Sequence, residues 1–233
     1  RRCRFAGCQA SDGSAPRCKR CAGRDDGPVA VSAAPQASHR IAGGELLTAA
    51  ARTLELVMQV AAACQGGMSA REGEIEFLAH AIAEAGGHAR LRSVVIDQAG
   101  DVRMRLLAHY DQAEQISAGT RAAAALVDRW ALSLAYGDDE LPREVTAGIS
   151  ACIGSCVAVA VSLAAATDAI TPTAVALASQ PSLLTEAGPA VGMCRRFILA
   201  AHGSLTGLVD DLESAGRLCR SSLVLRLVEG GMS

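Results

Sequence analysis

Residues 91–134 read LRSVVIDQAGDVRMRLLAHYDQAEQISAGTRAAAALVDRWALSL, and this stretch decides the fold class. Its apolar and small residues recur at alternating steps of three and four. That spacing is the heptad pattern of a helix that packs along one face. The positions of the pattern are Leu91, Val95, Gln98, Val102, Leu106, His109, Ala113, Ile116, Thr120, Ala123, Val127, Trp130 and Leu134.

A β-hairpin is the alternative for the first part of this stretch. Residues 93–107 could form two strands that turn at Gln98-Ala99-Gly100. The hairpin accounts for only these residues, whereas the heptad pattern accounts for the whole stretch. We therefore predict one long helix over residues 88–135, or two nearly collinear helices that break near Gly100 or Gly119.

Two more helices are predicted before this stretch. Residues 44–65 place their apolar side chains on one helix face, and Gly66-Gly67 is expected to end that helix. Ser69 and Glu72 then have the spacing of a capping box, which predicts the start of a new helix. Gly86-Gly87 is expected to stop it.

Residues 145–167 contain no charged side chain. The segment is long enough to span a bilayer, but most of its residues are small rather than large and apolar. A stripe of small residues at four-residue spacing allows close helix contact, in a membrane or in a soluble bundle. We predict a buried central helix rather than a membrane span. The stripe consists of Gly148, Cys152, Cys156, Ala160 and Ala164.

The last part of the chain is divided by three prolines. Pro172, Pro181 and Pro189 predict short helices, the last two as first-turn residues. A final amphipathic helix is expected over residues 204–228. Aromatic residues make up only 3% of the chain, which disfavours a β-sandwich or barrel. We predict a mainly α protein with a helical bundle of six or seven helices over residues 44–233.

Four cysteines near the N-terminus carry the one defined chemistry of the sequence. They have the spacing C-x4-C-x9-C-x2-C, which suits a tetrahedral zinc ion. Residues 1–24 bury too little apolar surface to fold alone, and bound zinc would supply the missing free energy. We predict a zinc knuckle over residues 1–24 and a linker over residues 25–43. The predicted ligands are Cys3, Cys8, Cys18 and Cys21.

Disulfides, a redox C-x-x-C motif and an iron–sulfur cluster are the alternatives for these cysteines. The total of nine cysteines disfavours a fully paired framework. A redox motif would open a helix in an αβ domain, which this sequence does not predict. The remaining five cysteines lie in apolar helical stretches, which indicates a reducing, intracellular location in the cytoplasm or nucleus.

The knuckle resembles the short Ran-binding-protein-type zinc finger, whose members bind single-stranded RNA or ubiquitin. The resemblance rests on the strings CRFAGC at residues 3–8 and RCKRC at residues 17–21. It covers about a tenth of the chain and implies that the four cysteines ligate zinc. Arg1 stands where the family usually has a base-stacking tryptophan, so RNA recognition is not carried over.

The charge distribution separates this tip from the rest of the chain. Seven basic residues and one acidic residue give residues 1–24 a net charge of +6, which leaves −8 for the remainder of a chain whose total is −2. Positive charge around the knuckle would attract phosphates or an acidic partner. It could also only compensate four thiolates on zinc. The predicted contact residues are Arg4, Arg17, Lys19 and Arg20.

Three other groups of residues could carry chemistry. Cys152 and Cys156 lie one helical turn apart and could bind Cu(I), although small core residues are the favoured interpretation. Glu76 and His80 are also one turn apart and are interpreted as a surface pair. His109 falls on the apolar face of the long helix and is interpreted as a core histidine. No catalytic motif is found.

We therefore expect a non-enzymatic binding or regulatory protein. Its knuckle would contact nucleic acid or an acidic partner, and its helices would assemble with themselves or with another protein. The alternative is a structural component of a larger viral or cellular assembly, in which zinc only stabilises the N-terminus. An enzyme would need a polar site between helices, which the sequence does not reveal.

Overall fold

The structure is a computed structural model that describes residues 34–84, 89–134 and 140–230. Contacts between residues divide the chain between Ser38 and His39 into two units. The unit from His39 to Ser233 is a helical bundle.

Four long helices form almost all of the described structure. They are α1 (Ala34–Glu84), α2 (Ala89–Ser133), α3 (Glu140–Ser179) and α4 (Gly188–Gly230). A short 3-10 helix, Pro181–Glu186, connects α3 to α4. At a rise of 1.5 Å per residue, each long helix extends about 60 to 75 Å. The protein is therefore mainly α, as the heptad pattern predicts.

Each helix runs antiparallel to its two neighbours. Between α1 and α2, residues early in one helix lie beside residues late in the other: Gly43 is next to Trp130, and Gly67 is next to His109. The same crossed order joins the other three pairs of helices. The contacts that show it are Arg103–Thr171 and Thr120–Cys156 for α2 and α3, Gly148–Leu218 and Ser155–Asp211 for α3 and α4, and Gly44–Leu223 and Gln65–Thr206 for α4 and α1.

These contacts arrange the helices as an up-down-up-down bundle in which consecutive helices are neighbours. The core runs along its whole length because the buried positions of each helix follow steps of three and four. In α1 they include Leu47, Ala50, Leu54, Val57, Ala61, Cys64, Met68, Ile75 and Leu78, and in α4 Val191, Cys194, Ile198, Ala201, Leu205, Leu208, Leu212, Ala215 and Cys219.

The predicted long helix over residues 88–135 is confirmed by α2, which is continuous across Gly100 and Gly119. The hairpin alternative is wrong. Between residues 95 and 130 the buried positions match the predicted heptad pattern, except that Ala99 is buried where Gln98 was expected and that His109 is only half-buried; Leu134 is half-buried as well. Gly119 has a packing role, because a Cβ atom there would overlap Val57 of α1. Trp130 is the largest fully buried side chain.

The predicted number of six or seven helices is wrong, because two expected breaks do not occur. Residues 66 and 67 lie inside α1, although a Gly-Gly pair usually stops a helix. The heptad pattern continues on both sides of the pair, through Cys64 and Met68, and burial of that face outweighs the helix cost of about 1 kcal/mol for each glycine. Ser69 and Glu72 therefore cap no helix start.

Pro172 likewise lies inside α3 rather than between two short helices. Its ring removes one backbone hydrogen bond. The buried residues on either side of Pro172 are Ile170 and Ala174, which are four residues apart. A step of three residues would have kept the alternation of three- and four-residue steps between the buried positions of α3. Pro181 and Pro189 occupy first turns, as predicted.

The ends of two predicted segments also differ from the structure. α1 begins at Ala34, so residues 34–43, predicted as part of the linker, are helical. The last helix begins at Gly188 rather than near Ser204. The expected stop at Gly86-Gly87 lies outside the described residues. Residues 145–167 lie within α3, and only part of that stretch is buried.

Candidate functional site

All the predicted zinc ligands and contact residues lie outside the described residues. These are Cys3, Cys8, Cys18 and Cys21, together with Arg4, Arg17, Lys19 and Arg20. Zinc ligation therefore stays a prediction. Among the described residues, no group of three or more His, Cys, Asp or Glu side chains could hold a metal ion.

Within the bundle, polar side chains concentrate at one level of α1, between residues 64 and 76. One group of them faces α2, and another group faces α4. The two groups use different faces of the same stretch of α1, which is about three turns long. Together they form the main cluster of interacting polar and ionisable side chains in the described structure.

Arg71 of α1 occupies a core position of the heptad pattern, between Met68 and Ile75. Its side chain is only 12% exposed. Arg71 Nη1 lies 2.8 Å from Glu74 Oε2, but both atoms, and Arg71 Nε, are buried without a well-directed hydrogen bond. The ion pair is therefore held by charge at close range rather than by hydrogen-bond geometry.

Glu74 also binds a second arginine. Arg105 of α2 donates from Nη1 to Glu74 Oε1, so this carboxylate joins α1 to α2. Arg105 also lies 3.7 Å from Asp101, one turn back on its own helix. The carboxylate thus compensates Arg71, which faces the core, and fixes the level at which α2 crosses α1.

His109 of α2 lies one turn from Arg105 and also faces α1. Its Nδ1 is 2.9 Å from Gln112 Oε1 and 3.7 Å from Cys64 Sγ. Because the amide oxygen can only accept, Nδ1 carries the proton and donates to it. The imidazole lies against the bare backbone of Gly67, where a Cβ atom would overlap Cε1.

Burial lowers the pKa of His109, because the charged ring would lose its hydration. The hydrogen bond to Gln112 opposes this shift, while the charge of Arg71 adds to it. The prediction that His109 is a core histidine is consistent with this environment. A neutral imidazole beside a buried arginine avoids two adjacent positive charges.

The second polar group joins α1 to α4. His202 of α4 lies between two α1 side chains: its Nδ1 is 2.5 Å from Glu72 Oε1, and its Nε2 is 3.4 Å from Ser69 Oγ. One turn earlier, Gln65 Nε2 donates to Thr206 Oγ1 at 2.8 Å. These three contacts between two helices form the α1–α4 seam, defined by Gln65, Ser69, Glu72, His202 and Thr206.

The α1–α4 seam is open to solvent. His202 and Glu72 are 27% and 29% exposed, and Ser69 is exposed. A further ion pair, Arg195–Glu76 at 3.3 Å, continues the polar contacts along the same two helices. The seam is therefore accessible, whereas the group around Arg71 and His109 is mostly enclosed.

The five described cysteines are all unpaired and buried. Burial raises the pKa of Cys64 and Cys219 to about 11, and that of Cys152 and Cys194 to about 12. Burial also raises the pKa of Cys156. These thiols stay protonated at neutral pH and are poor nucleophiles and metal ligands.

The favoured interpretation of Cys152 and Cys156 as core residues agrees with these positions. Cys152 Sγ donates to the carbonyl oxygen of Gly148 at 3.3 Å, and Cys156 Sγ lies 3.5 Å from Thr120 Oγ1. Each thiol thus satisfies its weak hydrogen-bonding capacity with a local partner. They do not form a copper site with a third ligand among the residues that the structure covers.

Glu76 and His80 do not pair with each other. Glu76 bonds Arg195 of α4, and His80 lies 3.1 Å from Glu84 of its own helix. His80 is 75% exposed. Both are surface ion-pair residues, but with other partners, so the predicted Glu76–His80 pair is wrong.

Sequence reasoning missed both polar groups for identifiable reasons. Arg71 interrupts an apolar face. It could have been placed in the core only by continuing the heptad pattern past Gly66-Gly67. His202 fell outside the last predicted helix, so no expectation placed it beside α1. Ser69 and Glu72 were singled out, but as a helix cap.

Two described helices are long and apolar enough to cross a membrane, namely Gly43–Glu84 and Pro142–Ser179. Their most apolar 18-residue windows have mean hydropathies of 1.3 and 2.1. Core helices of soluble bundles reach the same values, so this property alone is weak support for a membrane location.

The chain was also compared with known proteins. No family model matches it. No curated protein matches it either.

Proposed function

We propose that the protein is a binding or regulatory protein with two working parts. The N-terminal cysteines hold zinc, and the basic residues beside them contact nucleic acid or an acidic partner. The helical bundle assembles with a second copy or with another protein. The alternative is a structural component of a larger assembly, in which zinc only stabilises the N-terminus.

The outer face of α3 is the observation that carries the assembly part of this proposal. Residues exposed on this face recur at steps of three and four, as the core positions do: Ala147, Ser150, Gly154, Val157 and Val161. Val157 and Val161 are 55% and 63% exposed. A charge-free, heptad-spaced outer face is typical of a surface that packs on another helix.

The charges on α2 and α4 support a location in water rather than in a bilayer. Exposed charged residues follow the outer faces of both helices, at Asp111, Glu114, Arg121 and Asp128 of α2 and at Asp210, Glu213, Arg217 and Arg220 of α4. Each such charge facing lipid would cost several kcal/mol. We therefore propose that the bundle works in the cytoplasm or nucleus.

Sedimentation velocity tests the assembly. We expect Val157→Glu with Val161→Glu to lower the sedimentation coefficient of an assembled species to that of a single bundle. Val224→Glu is the matched control, because Val224 of α4 is 60% exposed. A wild-type chain that is a single bundle at every concentration and binds no other protein would remove this part of the proposal.

Elemental analysis of the full chain tests the zinc. We expect one zinc ion per chain and its loss in the variant Cys18→Ser with Cys21→Ser. A wild-type chain without zinc after purification and zinc loading would contradict the site. Full-length protein is used because residues 1–24 are not shown to fold alone.

Nucleic-acid contact is tested with zinc-loaded full chain at low salt. Replacing Arg4, Arg17, Lys19 and Arg20 by Ala should weaken binding and reduce its salt dependence. The matched control removes four exposed arginines of the bundle, Arg52, Arg121, Arg129 and Arg196, with the same change in net charge. Binding that is equal in both variants would favour the structural alternative.

A further inference from the structure

The α1–α4 seam brings together a hydroxyl, an imidazole and a carboxylate in a particular order. The hydroxyl oxygen of Ser69 lies beside Nε2 of His202, and a carboxylate oxygen of Glu72 lies beside Nδ1. The carboxylate can only accept, so Nδ1 carries the proton and donates to Glu72. When the ring is neutral, its Nε2 lone pair can accept the hydroxyl proton of Ser69, which also lies within 3.5 Å of the carbonyl oxygen of Gln65. This is the order of nucleophile, base and orienting acid in serine hydrolases.

From this arrangement we infer that Ser69, His202 and Glu72 form a nucleophilic site that accepts an acyl group from small activated esters. The inference goes beyond the proposed binding function and does not rest on it. It supplies the polar site between helices that an enzymatic role requires.

Rigid positions support the site. Ser69 and Glu72 are three residues apart on α1, which places both side chains on one side of the helix. The His202 ring reaches this side from the neighbouring helix and is oriented by the contact of its Nδ1 with Glu72 at 2.5 Å. The Oγ–Nε2 distance of 3.4 Å is within the loose range that such pairs show without substrate.

The surface around Ser69 is bare. Gly66 and Gly73 lie three residues before it and four residues after it on α1, so they flank it on the same face. Gly203 and Gly207 of α4 follow His202 and Thr206. A Cβ atom at any of these four glycines would meet nothing within 4 Å. Packing therefore does not explain them, and Ser69 itself is exposed.

Ser69 Oγ forms a bond to the acyl carbon while its proton moves to His202 Nε2, and the carbonyl π electrons move to the oxygen. The carbonyl then re-forms as the bond to the leaving aryloxide breaks, and the aryloxide takes the proton from Nε2. Water repeats the sequence and releases the carboxylic acid. The carbonyl oxygen would accept from the Gln65 amide, because Thr206 uses only one of its two N–H groups.

Helix backbone N–H groups are already bonded within α1, so Gln65 is the main donor for the developing oxyanion. We therefore expect reaction with aryl esters and fluorophosphonates rather than with amides, whose poorer leaving groups need stronger oxyanion stabilisation. With a fluorophosphonate, Oγ forms the bond to phosphorus and fluoride leaves.

The test is labelling of the full-length protein with a fluorophosphonate probe, with the labelled residue located by peptide mass spectrometry. We expect one label per chain, on Ser69, and none in Ser69→Ala. His202→Gln should slow labelling by about 100-fold or more, the contribution of a general base. Ser221→Ala is the control, because Ser221 is an exposed serine of α4.

A second variant distinguishes chemistry from folding. Gly66→Leu keeps all three side chains and fills the bare surface, so it should slow labelling about 10-fold or more while the melting temperature does not fall. Absence of label, label spread over several residues, or an unchanged rate in His202→Gln would overturn the inference. None of these results would affect the zinc or assembly proposals.

Discussion

Arg71 reaches Glu74 on its own helix, and this carboxylate in turn binds Arg105 of α2. A charged residue thus stands in a core position because its counter-ion is one turn away. The pair ties the level of α1 to that of α2. Its energetic role can be measured by removing each partner in turn.

Glu74→Gln should be strongly destabilising. It leaves the guanidinium of Arg71 enclosed without its counter-charge, and breaking such a pair costs about 3 kcal/mol or more. Urea unfolding gives the change in free energy. Arg71→Met should be near neutral or stabilising, because it replaces the pair at that core position by an apolar side chain. Equal losses in both variants would contradict this account.

Stability should fall as the pH is lowered from about 7 to 5.5. The folded pKa of His109 lies below its ordinary value, so in this range the unfolded state binds a proton more readily than the folded state. By linkage, the stability contributed above the ordinary histidine pKa of about 6.5 is lost as protons bind.

Urea midpoints measured across this range test the effect. His109→Gln should flatten the dependence, because it removes the titrating ring and keeps a polar side chain. His80→Gln is the control, since His80 is 75% exposed. A flat wild-type profile, or equal flattening in both variants, would show that His109 is not responsible.

Replacing the adjacent glycines Gly66 and Gly67 of α1 by alanine should change the stability of the bundle in opposite directions. Gly67→Ala forces the His109 ring to move and should destabilise the bundle by about 1 to 3 kcal/mol. Gly66→Ala meets nothing within 4 Å and should stabilise it by about 0.5 to 1 kcal/mol. Thermal unfolding separates the two, and equal shifts would exclude the packing of His109 on Gly67.

Thiol titration should divide the nine cysteines into two classes. The five buried thiols, with pKa values raised by burial, should not react with Ellman's reagent at pH 8 in the folded protein. The four N-terminal cysteines should react once zinc is removed by a chelator, and guanidinium chloride should expose all nine. Rapid reaction of more than four would contradict burial of the bundle cysteines.

The heptad pattern was enough to predict α2, because only a helix places residues at steps of three and four on one face, where they can all pack into the core. It was not enough at Gly66-Gly67 or at Pro172. Rules for helix breaks describe local backbone preference. Burial of the apolar residues on either side of these positions favours an unbroken helix. Hence too many helices were predicted.

The candidate sites were harder to predict than the helices. Contact between Ser69 and His202 depends on which helices are neighbours and at what level they cross, and neither follows from spacing within one helix. Arg71 could be placed only after α1 was known to continue. Sequence therefore identified Ser69 and Glu72 but assigned them a different role.

The antiparallel order of the bundle also governs its helix dipoles. Each helix ends close to where the next begins, at Glu84 and Ala89, Ser133 and Glu140, and Ser179 and Gly188. The negative end of one macrodipole thus lies near the positive end of another. The last turns of α1, α2 and α3 carry no basic residue, so at these ends the compensating positive charge comes from the start of the next helix.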